Sequence, residues 1–263
     1  MKKLLIKNKI LEHADELDDQ WVERIFEPLF KQMDTDFYKN KQIILSSMED
    51  IIQKHGNYLN NIWNHILQIL LKVSVSEHEG GIKQGFKNLK LVISDYITRM
   101  SQANIIVIID IIYNLAENEK NNLNNRLSSV GMFWNISDQI SKNFKQGFTS
   151  MDEDSDYNSN NSMNAGNISN TNVDHTALWK CIFKKLHRLE SCEQVEVRKH
   201  TLKILENIFM KHGASISPSL WIEVINDIII DALRNNVRYV KMRHDMHSVD
   251  QGSKNSSEYS NQE

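Results

Sequence analysis

Turn-forming residues are scarce in this sequence. Two prolines and nine glycines among 263 residues are too few for a strand-rich fold, which needs turn punctuation at every reversal. Two cysteines, Cys181 and Cys192, cannot build a disulfide framework, and no cysteine pair has the short spacing of a zinc site, so a reducing compartment is expected. Basic charge is not in excess: 31 Lys and Arg against 34 Asp and Glu give a net charge of −3. That balance lacks the clustered cations that nucleic-acid binding uses to neutralise phosphates. Long hydrophobic runs are missing as well, because Asp110 splits Ile105–Ile109 from Ile111–Tyr113, and each piece is far short of the ~20 residues that span a bilayer. The apolar residues near Met1 are broken by Lys7 and Lys9 before a signal-peptide core forms, so the chain is expected to be soluble and not exported. No nucleophile elbow, phosphate-binding glycine loop, kinase signature or zinc-hydrolase motif occurs. The chain therefore reads as no enzyme, with no cofactor, no metal and no small-molecule substrate.

What is present is helical periodicity. Trp21, Ile25 and Leu29 with Val22, Phe26 and Phe30 form a wide stripe behind the acidic start at Asp18-Asp19, which suits a helix N-terminus. After a turn near Asp34 to Asp36, Ile44, Leu45, Met48, Ile51, Ile52 and His55 repeat at helical spacing up to Gly56, where a left-handed glycine stop is expected. Further stripes run through Leu59–Leu70, Ile82–Ile97 and Leu123–Lys145, with a loop over Ser74–Gly81. The β-branched run Ile105–Ile109 could be a strand, but an isolated strand among helices would have no partner, so it reads as a buried helix. Residues 146–173 change to an acidic and then Asn/Ser-rich composition with little to bury, the mark of a disordered loop or insertion. Helical stripes return over 174–243, with Pro218 as a first-turn residue, and 244–263 reads as a disordered tail. Residues 1–145 thus form a first set of helices and 174–243 a second.

The two sets repeat each other. At an offset of 157 residues Phe26 falls on Phe183, Leu29 on Leu186, Leu45 on Leu202, Met48 on Leu205, Ile51 on Ile208, Ile52 on Phe209, His55 on His212 and Gly56 on Gly213. After a slip of one residue Trp63 falls on Trp221. Amphipathicity aligns any two helices but not their turns, so the matched corners His55, Gly56, Trp63 and His212, Gly213, Trp221 signal an internal repeat. The expected fold is all-α, a HEAT/armadillo-type α-solenoid of antiparallel helix pairs in which each pair covers the apolar face of the one before. Val195–Ile208 has the look of the second helix of such a unit, and Lys41 aligns with its Arg198.

Chemistry-bearing residues read more simply as structure. His55 and His212 sit where a histidine meets the carbonyl end of a helix. Glu77-His78-Glu79 and the pair His244 and His247 lie in polar loop and tail contexts, and Asp152–Asp156 lacks the glycine and closing glutamate of a calcium loop. Asn135-Ile136-Ser137 matches a glycosylation sequon but lies in a helical stripe. Asn135, Ser137 and Asp138 interrupt that stripe with polar groups, so they either satisfy a neighbouring turn or mark a candidate partner surface. A left-handed Gly213 would make Gly213→Val cost about 1 kcal/mol or more.

Three stretches, Asn88–Asp95 (NLKLVISD), Leu127–Asp138 (LSSVGMFWNISD) and Leu178–Trp221 with VRKHTLKILENIFMKHG inside it, resemble the C-terminal region of the Mon-two (monensin-sensitivity) family. That family is related to the helical repeats downstream of the catalytic domain in large Sec-seven-type Arf guanine-nucleotide exchange factors. The resemblance spans most of Trp21–Leu233 without the Asn-rich insertion. It implies a non-catalytic cytoplasmic scaffold, peripheral to Golgi and endosome membranes, in vesicle-mediated traffic between them. Implied partners are Dopey-type proteins, Arf-like GTPases and phospholipid flippase complexes. Family members are much longer, so the chain is expected to be a piece of a longer protein. Alternatives are the regulatory repeat region of a Sec-seven-type exchange factor, a HEAT/armadillo adaptor in another transport pathway such as nuclear transport, and an enzyme without local signature.

Overall fold

A computed structural model describes residues 19–33, 38–59, 62–152, 175–231 and 234. The fold is all-α, of the HEAT/armadillo-type helical-repeat class, and no strand occurs among the described residues. Its helices are α1 (Asp19–Gln32), α2 (Tyr38–His55), α3 (Trp63–Ser74), α4 (Glu79–Tyr96), α5 (Gln102–Glu117), α6 (Leu123–Asp152), α7 (His175–Leu189), α8 (Val195–His212) and the short α9 (Pro218–Glu223). The turns near 34–36, most of the Asn/Ser-rich stretch and the tail lie outside the described residues, as do His244 and His247. No described helix is long and apolar enough to cross a membrane.

The chain divides into two units, Met1–Ile216 and Ser217–Glu263. In the first, α3, α4, α5 and α6 follow one another through short connections, as do α7 and α8, which makes these neighbours antiparallel. Helices two apart then stack: α3 lies against α5 and α5 against α7, while α2 lies against α4 and α6 against α8. The Asn/Ser-rich stretch interrupts the chain without interrupting this packing, since α5 and α6 precede it and α7 and α8 follow.

The core follows from the stripes. Leu45, Ile52, Leu59, Ile66, Leu67, Leu89, Val92, Phe133, Ile136, Ile182, Phe183 and Ile208 are almost wholly buried. The run that could have been a strand is α5, with Ile105, Ile108, Ile109, Ile111 and Ile112 all buried; a helix inside two layers can be apolar over most of its circumference. Ser101 caps it by accepting from the Asn104 N–H, the usual first-turn device.

Three expectations change. Gly81 belongs to α4 rather than to the preceding loop, and α6 runs to Asp152, beyond the expected end near Lys145. Neither corner glycine is left-handed. Gly213 has φ −54° and ψ −34°, and Gly56, outside the positive-φ region too, opens the 3-10 turn Gly56–Tyr58. Each helix hands its last carbonyls to a tighter turn instead of reversing through a left-handed residue.

In the second unit Ser217 accepts from the Leu220 N–H, Pro218 occupies the first turn, and α9 passes into a π-helical stretch, Val224–Ile229. Leu220, Val224 and Ile228 are buried and Trp221 is half-buried.

Candidate functional site

The repeated corners are visible as backbone. Both α2 and α8 have 18 residues, both are followed by three-residue 3-10 turns, and Tyr38 and Val195, like His55 and His212, stand 157 positions apart.

The first corner is closed by α4. Tyr96 lays its ring over Gly56 so closely that a β-carbon there would lie 2.2 Å from Tyr96 Cζ. The same ring packs on Trp63 at 5.3 Å between centroids, and its hydroxyl donates to the Ile52 carbonyl at 2.9 Å. About two turns back along α2, buried Asn88 donates to the Leu45 carbonyl at 2.9 Å. Between these two carbonyls, the Glu49 carboxylate pairs with Lys87 Nζ at 2.7 Å and accepts from Gln84 Nε2 at 2.7 Å. The Lys87 ammonium holds the Glu49 carboxyl below the usual carboxylate range, because the charged form is the one that gains the bond. His55 is half-buried beside this arrangement.

The second corner is closed differently. His212 is 6% exposed; its ring lies 4.9 Å from Trp134 on α6 and 6.3 Å from Trp179 on α7. Asp138 Oδ1 approaches His212 Nε2 at 3.9 Å, and Lys142 holds the other Asp138 oxygen at 2.6 Å. Ser141 and Ser215 share a buried hydrogen bond of 2.9 Å. The polar group Asn135, Ser137 and Asp138 is therefore divided. Asn135 is exposed, Ser137 is fully buried and donates to the Phe133 carbonyl at 2.8 Å, and Asp138 faces the corner. Trp221 stands on its own helix in the second unit.

Two features go beyond what the 157-residue offset aligns. Lys41, Arg126 and Arg198 each occupy the fourth position of the second helix of a pair. Arg126 donates to the carbonyls of Ala116 and Glu117 at 2.8 and 3.3 Å, and Arg198 to those of Cys192 and Glu193 at 2.6 and 2.8 Å. Each guanidinium thereby satisfies carbonyls at the end of the preceding helix or its turn. The second feature joins α5 to α7: Asp110 pairs with Lys185 at 2.6 Å, and Lys185 lies over the Tyr113 ring. Burial, and then the bond to Glu117, push the Tyr113 phenol up to about 12. Burial, and then Asp110, raise the Cys181 thiol. The interruption of the isoleucine run by Asp110 was the sequence signal for this seam.

A groove of about 270 Å³ between α1 and α3 is walled by Phe26, Phe30 and Ile69, with Asn64, His65 and Gln68 at its polar edge. No cluster of three or more His, Cys, Asp or Glu that could hold a metal occurs among the described residues.

Family comparison decides what array this is. The family model described as the C-terminal region of Mon2 protein matches residues 94–260, and the model Mon2/Sec7/BIG1-like, HDS matches residues 9–91. The chain belongs to the Mon2 family. Over about 80% of its length this Mon2-family chain is 25% identical to Protein MON2 homolog of Xenopus laevis and 25% identical to that of Homo sapiens, covering 12% of each relative. Protein MON2 of Saccharomyces cerevisiae is 20% identical over 71% of the chain and 13% of its own length. The chain thus spans about an eighth of the curated relatives it matches. No solved structure matches it.

Proposed function

We propose that this chain is a non-catalytic scaffold segment in vesicle-mediated traffic between endosomes and Golgi, acting through protein–protein contacts at the cytoplasmic face of those membranes. The observation that carries the reading is the family match over 94–260 on a helical-repeat fold, an architecture that offers extended side-chain surfaces rather than an enclosed pocket. Dopey-type proteins, Arf-like GTPases and phospholipid flippase complexes are the partner classes the family suggests. The exposed Asn135 and half-exposed Asp138 remain candidates for such contacts, with Ser137 supporting their helix from inside.

The match of 9–91 to a Mon2/Sec7/BIG1-like model favours one second reading, a regulatory repeat region of a Sec-seven-type exchange factor. Affinity capture on the folded chain from cytosol, with mass spectrometry and a Gly56→Leu control, is expected to enrich trafficking proteins of these classes. Capture of none by the folded chain contradicts the scaffold reading. Acceleration of nucleotide release from a purified Arf-like GTPase by the chain alone would contradict its non-catalytic part.

A further inference from the structure

Helices α4, α6 and α8 pack on α3, α5 and α7 of the other layer, and α6 touches both α4 and α8. Their opposite sides therefore lie next to one another, facing away from that layer. A helix stacked at either end of the array covers an end, not this side. The outward positions follow the helical period. On α4 they are the exposed Lys83, Lys87 and Lys90, opposite the buried Gly85, Val92 and Tyr96. On α8 they are the exposed Lys199 and Lys203, opposite the buried Thr201, Leu205 and Ile208. Between them α6 presents the exposed Asn124, Ser128 and Asn135, opposite the buried Val130, Phe133 and Ser137.

The charge of this side runs against that of the chain. Of the carboxylates beside it, Glu49 is paired with Lys87, Asp138 with Lys142 and Glu206 with Lys203, and Glu196 stands in the first turn of α8. Lysine is thus in excess here although the whole chain has a net charge of −3. The middle is neutral and its side chains are short. Asn124, Ser128 and Asn135 offer carboxamide and hydroxyl groups, and at Gly131 an added β-carbon would stand 3.8 Å from its nearest neighbour, His200 Nε2. Helix α6 is therefore the floor of a shallow polar trough between two rows of lysine. Packed helices lie ~8–10 Å apart, which puts the rows on α4 and α8 ~16–20 Å apart, the length of ~5–6 extended residues.

We infer that this trough binds an extended acidic segment of a partner protein. Carboxylates toward both ends of the segment meet the lysines of α4 and α8, and its main-chain amides meet Ser128 and Asn135 between them. Complementary charge selects the partner, and the carboxamide floor suits a peptide backbone, where a flat anionic bilayer would leave the recessed polar groups unmatched. The inference rests on the scaffold reading and names the partner's chemistry; its test uses purified components, so its failure leaves that reading standing.

A fluorescent peptide with a glutamate cluster at each end of a Ser/Gly spacer ~5 residues long is titrated with the full chain and followed by anisotropy. Saturable binding that weakens as salt rises is expected, reduced about tenfold by Lys90→Glu and by Lys199→Glu and about threefold by Asn135→Ala. Lys184→Glu, at an exposed position of α7 in the other layer, is expected to leave it unchanged. Thermal melting accompanies each variant, and a reversal that lowers the midpoint is replaced by Lys90→Gln or Lys199→Gln, for which a loss of about threefold is expected. Absence of saturable binding overturns the proposal. An equal loss with Lys184→Glu overturns it by showing that net charge alone attracts the peptide. Binding of phosphatidylserine vesicles, abolished by the same two reversals in a chain that ignores the peptide, overturns it in favour of a membrane.

Discussion

Helices α2 and α8 have the same length, end in the same His-Gly pair and stand 157 residues apart, yet they are held from opposite sides. α2 is closed over Gly56 by Tyr96 of the helix that follows it in its layer; α8 is closed over His212 by Trp134 of the helix that precedes it. Identical residues therefore carry different loads. The glycine matters at the first corner because an aromatic ring occupies the space of its side chain. The histidine matters at the second because two indoles and a carboxylate enclose it.

The largest expected effect comes from the first glycine. Gly56→Ala displaces Tyr96 and with it the bond to Ile52, so a loss of about 3 kcal/mol is expected from overpacking together with a broken buried hydrogen bond. Gly213→Ala, at a right-handed helical φ, is expected to change stability by less than about 0.5 kcal/mol, in denaturant unfolding of both variants. The cost earlier assigned to a left-handed Gly213 has no backbone basis. The histidines reverse the order: His212→Ala is expected to cost about 2 kcal/mol, and His55→Ala less than about 0.5 kcal/mol. Comparable costs for the two histidines would break the comparison. Tyr96→Phe keeps the ring over Gly56 and removes only the hydroxyl, for about 1 kcal/mol; a loss as large as that of Gly56→Ala would show that the hydroxyl, not the ring, closes the corner.

The smallest effect is a pH dependence. Lys87 lowers the Glu49 carboxyl below its ordinary value near 4.5. The folded state then releases that proton more readily than the unfolded chain, so the stabilisation is present above the ordinary value and is lost as pH falls through the lower folded one. Thermal melts between pH 7 and 3 are expected to show a shallower acid decline for Glu49→Gln than for the unmodified chain. Equal slopes would mean that Glu49 does not link α4 to α2.

Much of this was legible in the residues. Apolar spacing located the helices, and the want of a partner strand made Ile105–Ile109 helical. The matched turns exposed the repeat, and short motifs indicated the family. What stayed hidden was set by contacts distant in sequence. A glycine after a helix is compatible with a left-handed residue or with a close neighbour, and only Tyr96, 40 positions on, decides for the neighbour at Gly56. Ser137 and Asp138 lie one residue apart, yet helix geometry sends one inward and the other toward His212. Arg126 escaped because the first and fourth helix pairs share the 157-residue offset and the pair containing α6 does not. The polar stripe from Asn135 to Asp138 could not be resolved into surface and support without knowing where α8 lies.

The most direct test of the contrast compares one repeat position in its two settings. Leu45→Cys and Leu202→Cys are labelled with a maleimide under native conditions, and modification of each site is followed by peptide mass spectrometry. Cys at 202 is expected to react at a rate approaching that of a free thiol, while Cys at 45, beneath Asn88 and α4, stays protected until the chain unfolds. Equal protection at the two positions would contradict the claim that repeated helices meet different neighbours, with Leu202 exposed where Leu45 is buried.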